Sequence, residues 1–596
     1  METAAQEYAP NIPLMIRAAW ERLADRTVLR YTDEDDVWHD LTGGEAQALV
    51  NAVAKGFIAR GVQPGQTVSI MARTRYEWSI IDVALWTAGA LPVPIYDTSS
   101  ASQIDWITSD AEVSMIVVET SHHAELALSV AADPESPLKD VLVIDDGVVD
   151  QLAAEGVDVP DAELNRRIAL AGHGDLATII YTSGTTGRPK GVQLTHFSYV
   201  RHTVGIQQEL APVLLSEGAS TVLFMTLAHS LARLVEVVLL ASGTVIGYCP
   251  DSRKLVPLLG TFKPTLLLAV PRVFEKVYNS AEQTAAAGGK VKIFRWAAKQ
   301  SIDYSRARGT SRGPSPMLRA THALAYRLVL SRIVDVLGGN ARWAISGSAP
   351  LGERLGHFYG GLGLHLMEGY GLTEVNAASH VNRPDVTKIG TVGRILPGME
   401  AKAADDGEIL MRGDMLFTGY HRNPDATAAA MVDGWFATGD IGTIDDEGFL
   451  TITGRKKEII VTAGGKNVAP AVLEDRLRAY PLVDQCVVVG DGKPFIAALV
   501  TLDAEALPGW LKGKDLPVMT VAEAAAHPVV REHMDRAVER ANKAVSRAES
   551  IRKYEILLDE FSVDNGYLTP SLKVKRATVL KDFADRIEQL YTTRKA

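Results

Sequence analysis

Apolar residues along the chain alternate between short continuous runs and helical spacings, a rhythm that predicts layered α/β architecture. Thr67–Met71, Ser114–Val118, Val141–Asp145 and Ala177–Tyr181 are apolar, partly β-branched runs and predict buried strands. Leu41–Arg60 and Tyr76–Ala88 carry helical spacing, the first closed by Gly61 as a C-cap. Met317–Leu337 predicts a further helix ended by Gly338-Gly339. Beyond about residue 454 the pattern changes: Ile459–Thr462, Gln485–Val489 and Phe495–Leu502 are strand-like and alternate with polar helices such as Arg531–Ala548. That second pattern predicts a small α+β unit. No solenoid-type repeat is present.

Composition narrows the class. A chain of 596 residues exceeds one core and implies several domains. Hydrophobic content of 47% and charged content of 22% fit a soluble globular enzyme. The net charge of −11 argues against a nucleic-acid partner. Cys249 and Cys486 stand too far apart for a disulfide framework or a zinc site. No uncharged apolar run reaches the roughly 18 residues of a spanning helix, and the acidic opening lacks a signal peptide's pattern. A cytoplasmic protein is expected, with peripheral membrane contact open and oligomeric state undetermined. One local exception is Lys290–Arg312, basic with interleaved Ile293, Phe294 and Trp296. Such a stretch suits anionic lipid, a phosphorylated substrate, or a solvated helix followed by a loop. Within it, Gly309–Gly313 matches the nucleophile-elbow pattern, but the basic run before it and Pro314 after it make the match accidental.

Chemistry concentrates in Tyr181–Val192, which reads Tyr-Thr-Ser-Gly-Thr-Thr-Gly-Arg-Pro-Lys-Gly-Val. A strand runs into a loop whose Gly184, Gly187 and Gly191 let backbone N–H groups approach an anion. Thr182, Ser183, Thr185 and Thr186 add hydroxyl donors and Lys190 adds a charge, a set suited to polyphosphate. It is not a Walker A loop, because Pro189 precedes Lys190 and no hydroxyl residue follows it. This loop resembles the phosphate loop of the adenylate-forming (AMP-binding) enzyme superfamily. The resemblance implies ATP-dependent activation of a carboxylate as an acyl adenylate, with release of pyrophosphate and transfer of the acyl group to a thiol.

The remaining motifs follow in that superfamily's order. In Ala344–Pro350 the resemblance places Gly347, Ser348 and Ala349 along the adenine pocket. In Met367–Glu374 it gives Tyr370 adenine to stack on, Thr373 the α-phosphate, and Glu374 a Mg²⁺ ion, which favours one or two carboxylates plus phosphates. Gly371 either leaves a long acyl tunnel unblocked or serves a tight turn. Thr438-Gly439-Asp440 resembles the ribose motif, with Asp440 accepting from the ribose hydroxyls. Arg455 would contact nucleotide, Lys457 would be the hinge, and Gly464, Gly465 and Lys466 would border the pantetheine channel after rotation. Lys573 would complete the adenylation site, where an ammonium stabilises developing charge; acetylation there would remove that charge. Lys575 competes for the role. Leu572 stands where many members have glycine, as in the long-chain fatty acyl-CoA synthetase branch. Leu227–Arg233 and Val270–Lys276 are similar to the same branch, and His229 would lie near its acyl and thiol channels.

The expected fold is therefore the α/β adenylate-forming enzyme fold. Residues 1–456 form a large N-terminal domain for ATP and fatty acid, and 457–596 a mobile α+β lid. The expected enzyme is a long-chain fatty acid–CoA ligase using ATP, Mg²⁺ and coenzyme A. Alternatives are a fatty acyl-AMP ligase serving an acyl carrier protein, and a noncatalytic nucleotide- or lipid-binding protein on the same fold.

Overall fold

The computed structural model describes residues 8–182, 188–563, 565–569 and 573–592. Six parallel strands form the centre of a nine-stranded sheet, in the order His365–Tyr370, Trp343–Ser346, Leu266–Ala269, Ser220–Leu223, Val245–Tyr248 and Thr27–Thr32. Antiparallel strands close both ends. A second sheet is wholly parallel: Leu91–Pro94, Thr67–Met71, Met115–Val118 and Asp140–Val143. Parallel strands need crossovers and are covered on both faces, which is why these runs are apolar throughout rather than alternating. A five-stranded antiparallel sheet follows, built around Trp435–Ile444.

The predicted helices form as Gly43–Ala59 and Tyr76–Thr87. The first begins in a capping box in which Thr42 and Glu45 bond reciprocally, satisfying two of the free N–H groups at its start. Val141–Asp145 is displaced by a residue or two at each end, to Asp140–Val143, where it pairs with Met115–Val118. The predicted helix 317–337 is one α-helix, Pro316–Ala325, a π-helical turn, Tyr326–Leu330, and a second α-helix, Ser331–Val336. Arg531–Ala548 is corrected to Pro528–Asn542. Pro528 fits the first turn, and Asn542 ends the helix by exchanging hydrogen bonds with the Ile551 backbone.

Core clusters divide along the chain. Among the described residues, three are built from positions up to Leu450 and two from positions from Ile460 onward. The later pair surrounds the sheet Val483–Val489, Ile496–Leu502 and Ile551–Leu557.

One polar group lies at the centre of the first part. Arg233, on the helix Ser230–Ser242, is 0% exposed. Its Nε and Nη2 donate to Asp82 at 3.1 and 2.6 Å, and its guanidinium carbon sits 4.9 Å from the centre of the Trp86 ring. Nη1 donates to Thr178. One turn along, Glu236 accepts from Ser79, whose hydroxyl also lies 2.6 Å from Tyr248 Oη. Burial, followed by the nearby Asp82 carboxylate, pushes Glu236 up to about 8. Its folded value thus exceeds its ordinary value of 4.5. The folded state keeps a proton that the unfolded chain releases, so this group's penalty grows as pH rises between those values and is constant above them. In Glu236→Gln, the thermal midpoint should exceed the parent's at pH 9, and the gap should narrow towards pH 5. Melts at several pH values check this; a pH-independent gap contradicts it.

Candidate active site

Ligands of parallel α/β sheets gather at the carboxyl ends of the strands, and here the motifs leave that edge together. Trp343–Ser346 ends in Gly347, Ser348 and Ala349; His365–Tyr370 ends in Gly371, Leu372, Thr373 and Glu374; Ser220–Leu223 leads to His229. All of these residues line one cleft of about 2150 Å³. Ser348 takes the left-handed conformation, φ 70°.

The strands Leu176–Thr182 and Lys190–Thr195 pair as a hairpin, with Thr182 opposite Lys190. This hairpin stem brings Thr182, Arg188 and Lys190 to the cleft wall. Ser183, Gly184, Thr185, Thr186 and Gly187 lie outside the described residues. Trp106 fixes the return arm by donating to the Pro189 carbonyl at 3.0 Å and stacking under Arg188. Gly191 is required by packing, since a Cβ there would stand 2.7 Å from Ile179. Lys190 Nζ sits 4.9 Å from the centre of the Tyr420 ring, and Tyr420 Oη donates to Glu374 Oε1 at 2.7 Å. The phosphate-loop lysine and the predicted metal carboxylate thus share one tyrosine. Thr373 is held by Ser230, hydroxyl to hydroxyl at 3.1 Å.

Asp440 and Arg455 face each other across antiparallel strands, and Arg455 Nε is 2.8 Å from Asp440 Oδ1. Tyr370 Oη donates to Asp440 Oδ2 at 2.5 Å. Asp440 is buried, and both of its carboxylate oxygens are partnered, one by Arg455 and one by Tyr370. Tyr370 is therefore anchored by its hydroxyl, which leaves the ring to form a wall of the cleft.

Lys573 is exposed, but it opens into the cleft. Its N–H donates to Thr569 Oγ1 at 3.0 Å and its carbonyl accepts from Thr569 N–H at 2.8 Å, which fixes the backbone from which the side chain leaves. The surrounding walls strip solvent and, with Arg455, push its pKa down, while Asp440 and Glu458 pull it back up. His229 caps the helix Ser230–Ser242 through Nδ1, which accepts from Leu231 N–H. Burial, then Lys573, drives His229 down to about 4, so it is a neutral ring at physiological pH. Lys575, the rival, precedes the helix Arg576–Asp582 and is absent from the cleft lining.

Lys456 is tied to Asp406 and Glu408 at 2.6 and 2.7 Å, whereas Lys457 is exposed within the turn Lys456–Glu458. Gly464, Gly465 and Lys466 are not brought to the site. They form a separate turn, φ 76° at Gly465, with Lys466 paired to Glu549 at 3.2 Å. Residues beyond Ile460 close over the cleft through polar contacts. Arg272 pairs with Asp484 and, at 3.7 Å, with Asp503; Lys276 meets Glu505 at 3.2 Å, and Arg354 donates to the Ala479 carbonyl.

Two features escaped the sequence. Glu368 is buried in the cleft wall, accepts from Leu351 N–H and is pushed up to about 7 by burial. An apolar arm of the cleft runs between Ile206, Leu210 and Leu214 on one side and Leu234, Val235 and Val238 on the other. The i, i+3, i+4 spacing in Leu231–Leu239 signals that wall.

Comparison with known proteins agrees with this geometry. The AMP-binding enzyme family matches residues 16–421, and the AMP-binding enzyme C-terminal domain matches residues 457–595. The chain belongs to the AMP-binding enzymes. It is 50% identical to the long-chain-fatty-acid–CoA ligase FadD15 of Mycobacterium bovis over 94% of this chain and 93% of that protein. Rat long-chain-fatty-acid–CoA ligase ACSBG1 is 30% identical, covering 94% and 83%. Among solved structures, the anthranilate CoA ligase AuaEII in complex with anthranoyl-AMP superposes with a TM-score of 0.72 at 18% identity, covering 98% and 99% of the two chains. ATP-bound MatB from Rhodopseudomonas palustris gives 0.69 at 22%, covering 97% and 99%. The fold is that of the adenylate-forming enzymes.

Gly371 tests the two readings of its sequence position. A Cβ there would stand 1.9 Å from the Ala377 carbonyl oxygen, so any side chain displaces the segment carrying Thr373 and Glu374. Gly371→Ala should therefore cut activity about tenfold or more with acids of every length. Steady-state rates across a chain-length series check this; loss confined to long acids would assign the glycine to the tunnel.

Proposed function

We infer that this chain activates a long-chain fatty acid with ATP and passes the acyl group to coenzyme A, releasing AMP and pyrophosphate. The observation that carries the acid's size is the apolar part of the cleft lining, where Ile206, Leu210, Leu214, Leu234, Val235 and Val238 stand together. A carboxylate lying between Thr373 and Lys573 would leave its alkyl chain there.

In the first step a carboxylate oxygen attacks the α-phosphorus of ATP in line, forming acyl-AMP and expelling pyrophosphate. The hairpin loop and Lys190 hold the β- and γ-phosphates, Asp440 holds the ribose, and the Gly347–Ala349 segment with Tyr370 holds the base. Lys573 donates to the oxygens on which charge accumulates. Glu374 suits Mg²⁺, an ion satisfied by one carboxylate plus substrate phosphates and water, and Tyr420 keeps that carboxylate in place. The ion would supply charge neutralisation on the phosphates. In the second step the thiolate of coenzyme A attacks the acyl carbonyl and AMP leaves. Rotation of residues 457–596 about Lys457 withdraws Lys573 and brings Gly464, Gly465 and Lys466 to the channel. Neutral His229, between the Lys573 end and the acyl arm, hydrogen-bonds without adding charge. In this reading the enzyme works in the cytoplasm and meets membranes peripherally, where its acid dissolves.

Lys573→Ala should lower acyl-adenylate formation by ~10²–10³, with thioester formation from supplied acyl-AMP largely retained. Because the ammonium is the working form and its pKa is depressed, the adenylation rate should fall on the alkaline side below the ordinary lysine value of 10.5. Lys573→Arg should move that limb upward. Pyrophosphate exchange against pH checks both; equal losses in the two half-reactions would oppose a lysine confined to the first. Mass spectrometry of products from ATP, Mg²⁺, mixed fatty acids and free coenzyme A tests the whole assignment. Long-chain acyl-CoA with equimolar AMP is expected. Acyl-AMP without acyl-CoA would transfer the chain to the carrier-protein ligases, and absence of both would leave a binding protein.

A further inference from the structure

The helical stretch 316–336 packs against the helix Val291–Arg308 and, at its end, against the helix Leu255–Phe262. Thr321 donates to Gln300 at 2.6 Å, the His322 ring stacks on Tyr304 at 4.0 Å, and Ala325, Leu330 and Ile333 are buried. The opposite face is apolar and open. Met317, Leu324 and Leu328 are 78%, 51% and 50% exposed, and Ala320 shares their side. Single exposed leucines are ordinary; a row at one-turn spacing is a contact surface.

Charge selects the contact. Between residues 288 and 336 the sequence has ten lysines and arginines and two acidic residues, Asp303 and Asp335, in a chain whose net charge is −11. Arg295 pairs with Glu282 and Lys299 with Asp303. Arg319, Arg327 and Arg332 are exposed on the helical stretch itself, and Arg308 and Arg312 on the approach to it. An acidic protein surface would answer the arginines but not the Met317–Leu324–Leu328 row. An anionic bilayer answers both, with hydrocarbon below and phosphate at the level of the guanidiniums.

We propose that the 316–336 face docks on anionic lipid, its apolar row entering the acyl boundary and its arginines meeting headgroup phosphates. The helix Val291–Arg308 lies between this face and the cleft, whose wall it supplies with Lys299, Ile302 and Arg306. The docked enzyme thus holds its cleft one helix away from the bilayer. The proposal rests on exposure and charge alone and stands or falls independently of the reaction above.

Vesicle co-sedimentation tests it, with phosphatidylcholine vesicles beside phosphatidylcholine–phosphatidylglycerol vesicles. The parent should sediment with the anionic vesicles only, and less as salt rises. Leu324→Glu/Leu328→Glu and Arg319→Gln/Arg327→Gln should each weaken partitioning by about tenfold or more, with unchanged thermal midpoints. No binding by the parent, or equal binding by the Leu324→Glu/Leu328→Glu variant, overturns the proposal. A parent dimer that this variant dissociates, without vesicle binding, assigns the face to a second copy and overturns it as well.

Discussion

A guanidinium with no exposed surface must recover from the protein what water would have supplied, and Arg233 recovers it from Asp82, Thr178 and the ring faces of Trp78 and Trp86. That requirement fixes the helix Ser230–Ser242 in rotation and height. Its other face is then committed: Leu234, Val235 and Val238 line the apolar part of the cleft. Its first residues are committed too, because Ser230 reaches Thr373 and His229 caps the helix beside Lys573. Removing either charge of the pair would leave the other buried and uncompensated, at a cost on the order of 3–5 kcal/mol. Polar anchoring thus places both the apolar lining of the cleft and the Thr373 hydroxyl.

The sequence made the chemistry legible and the container much less so. Glycine-rich and acidic motifs report on backbone approach and charge, which are local, so the edge formed by residues 344–350 and 367–374 was readable before any coordinate. The helix Ser230–Ser242 shows the limit. Arg233 and Glu236 interrupt its apolar spacing, yet both are buried, and the partners that explain it, Asp82 and Ser79, stand some 150 positions earlier. Glu368 was passed over for a similar reason, since its buried state depends on Leu351 and the strand beside it. Strands came out well where both faces are covered. Helix ends came out less well, because Pro528 and the Asn542–Ile551 exchange decide them through single contacts.

Lys573 and its neighbours show how electrostatics divides labour in a confined cleft. Asp440 is already taken by Tyr370 and Arg455, so it cannot neutralise Lys573 in full. Thin compensation leaves the ammonium open to anions, while burial first, and Lys573 second, keep His229 neutral. A cation left partly unpaired in this way favours whichever ligand brings negative charge with it, here a phosphate or carboxylate.

The contacts that hold residues beyond 460 over the cleft are of a different kind. Arg272 and Asp484 retain about a fifth of their exposure, and Lys276 and Glu505 much more. Pairs so wetted contribute about 1 kcal/mol or less apiece and weaken in salt. A large unit seated by a buried apolar seam would be held by many contacts at once; one seated by hydrated charges is held by contacts that water and salt can replace one at a time.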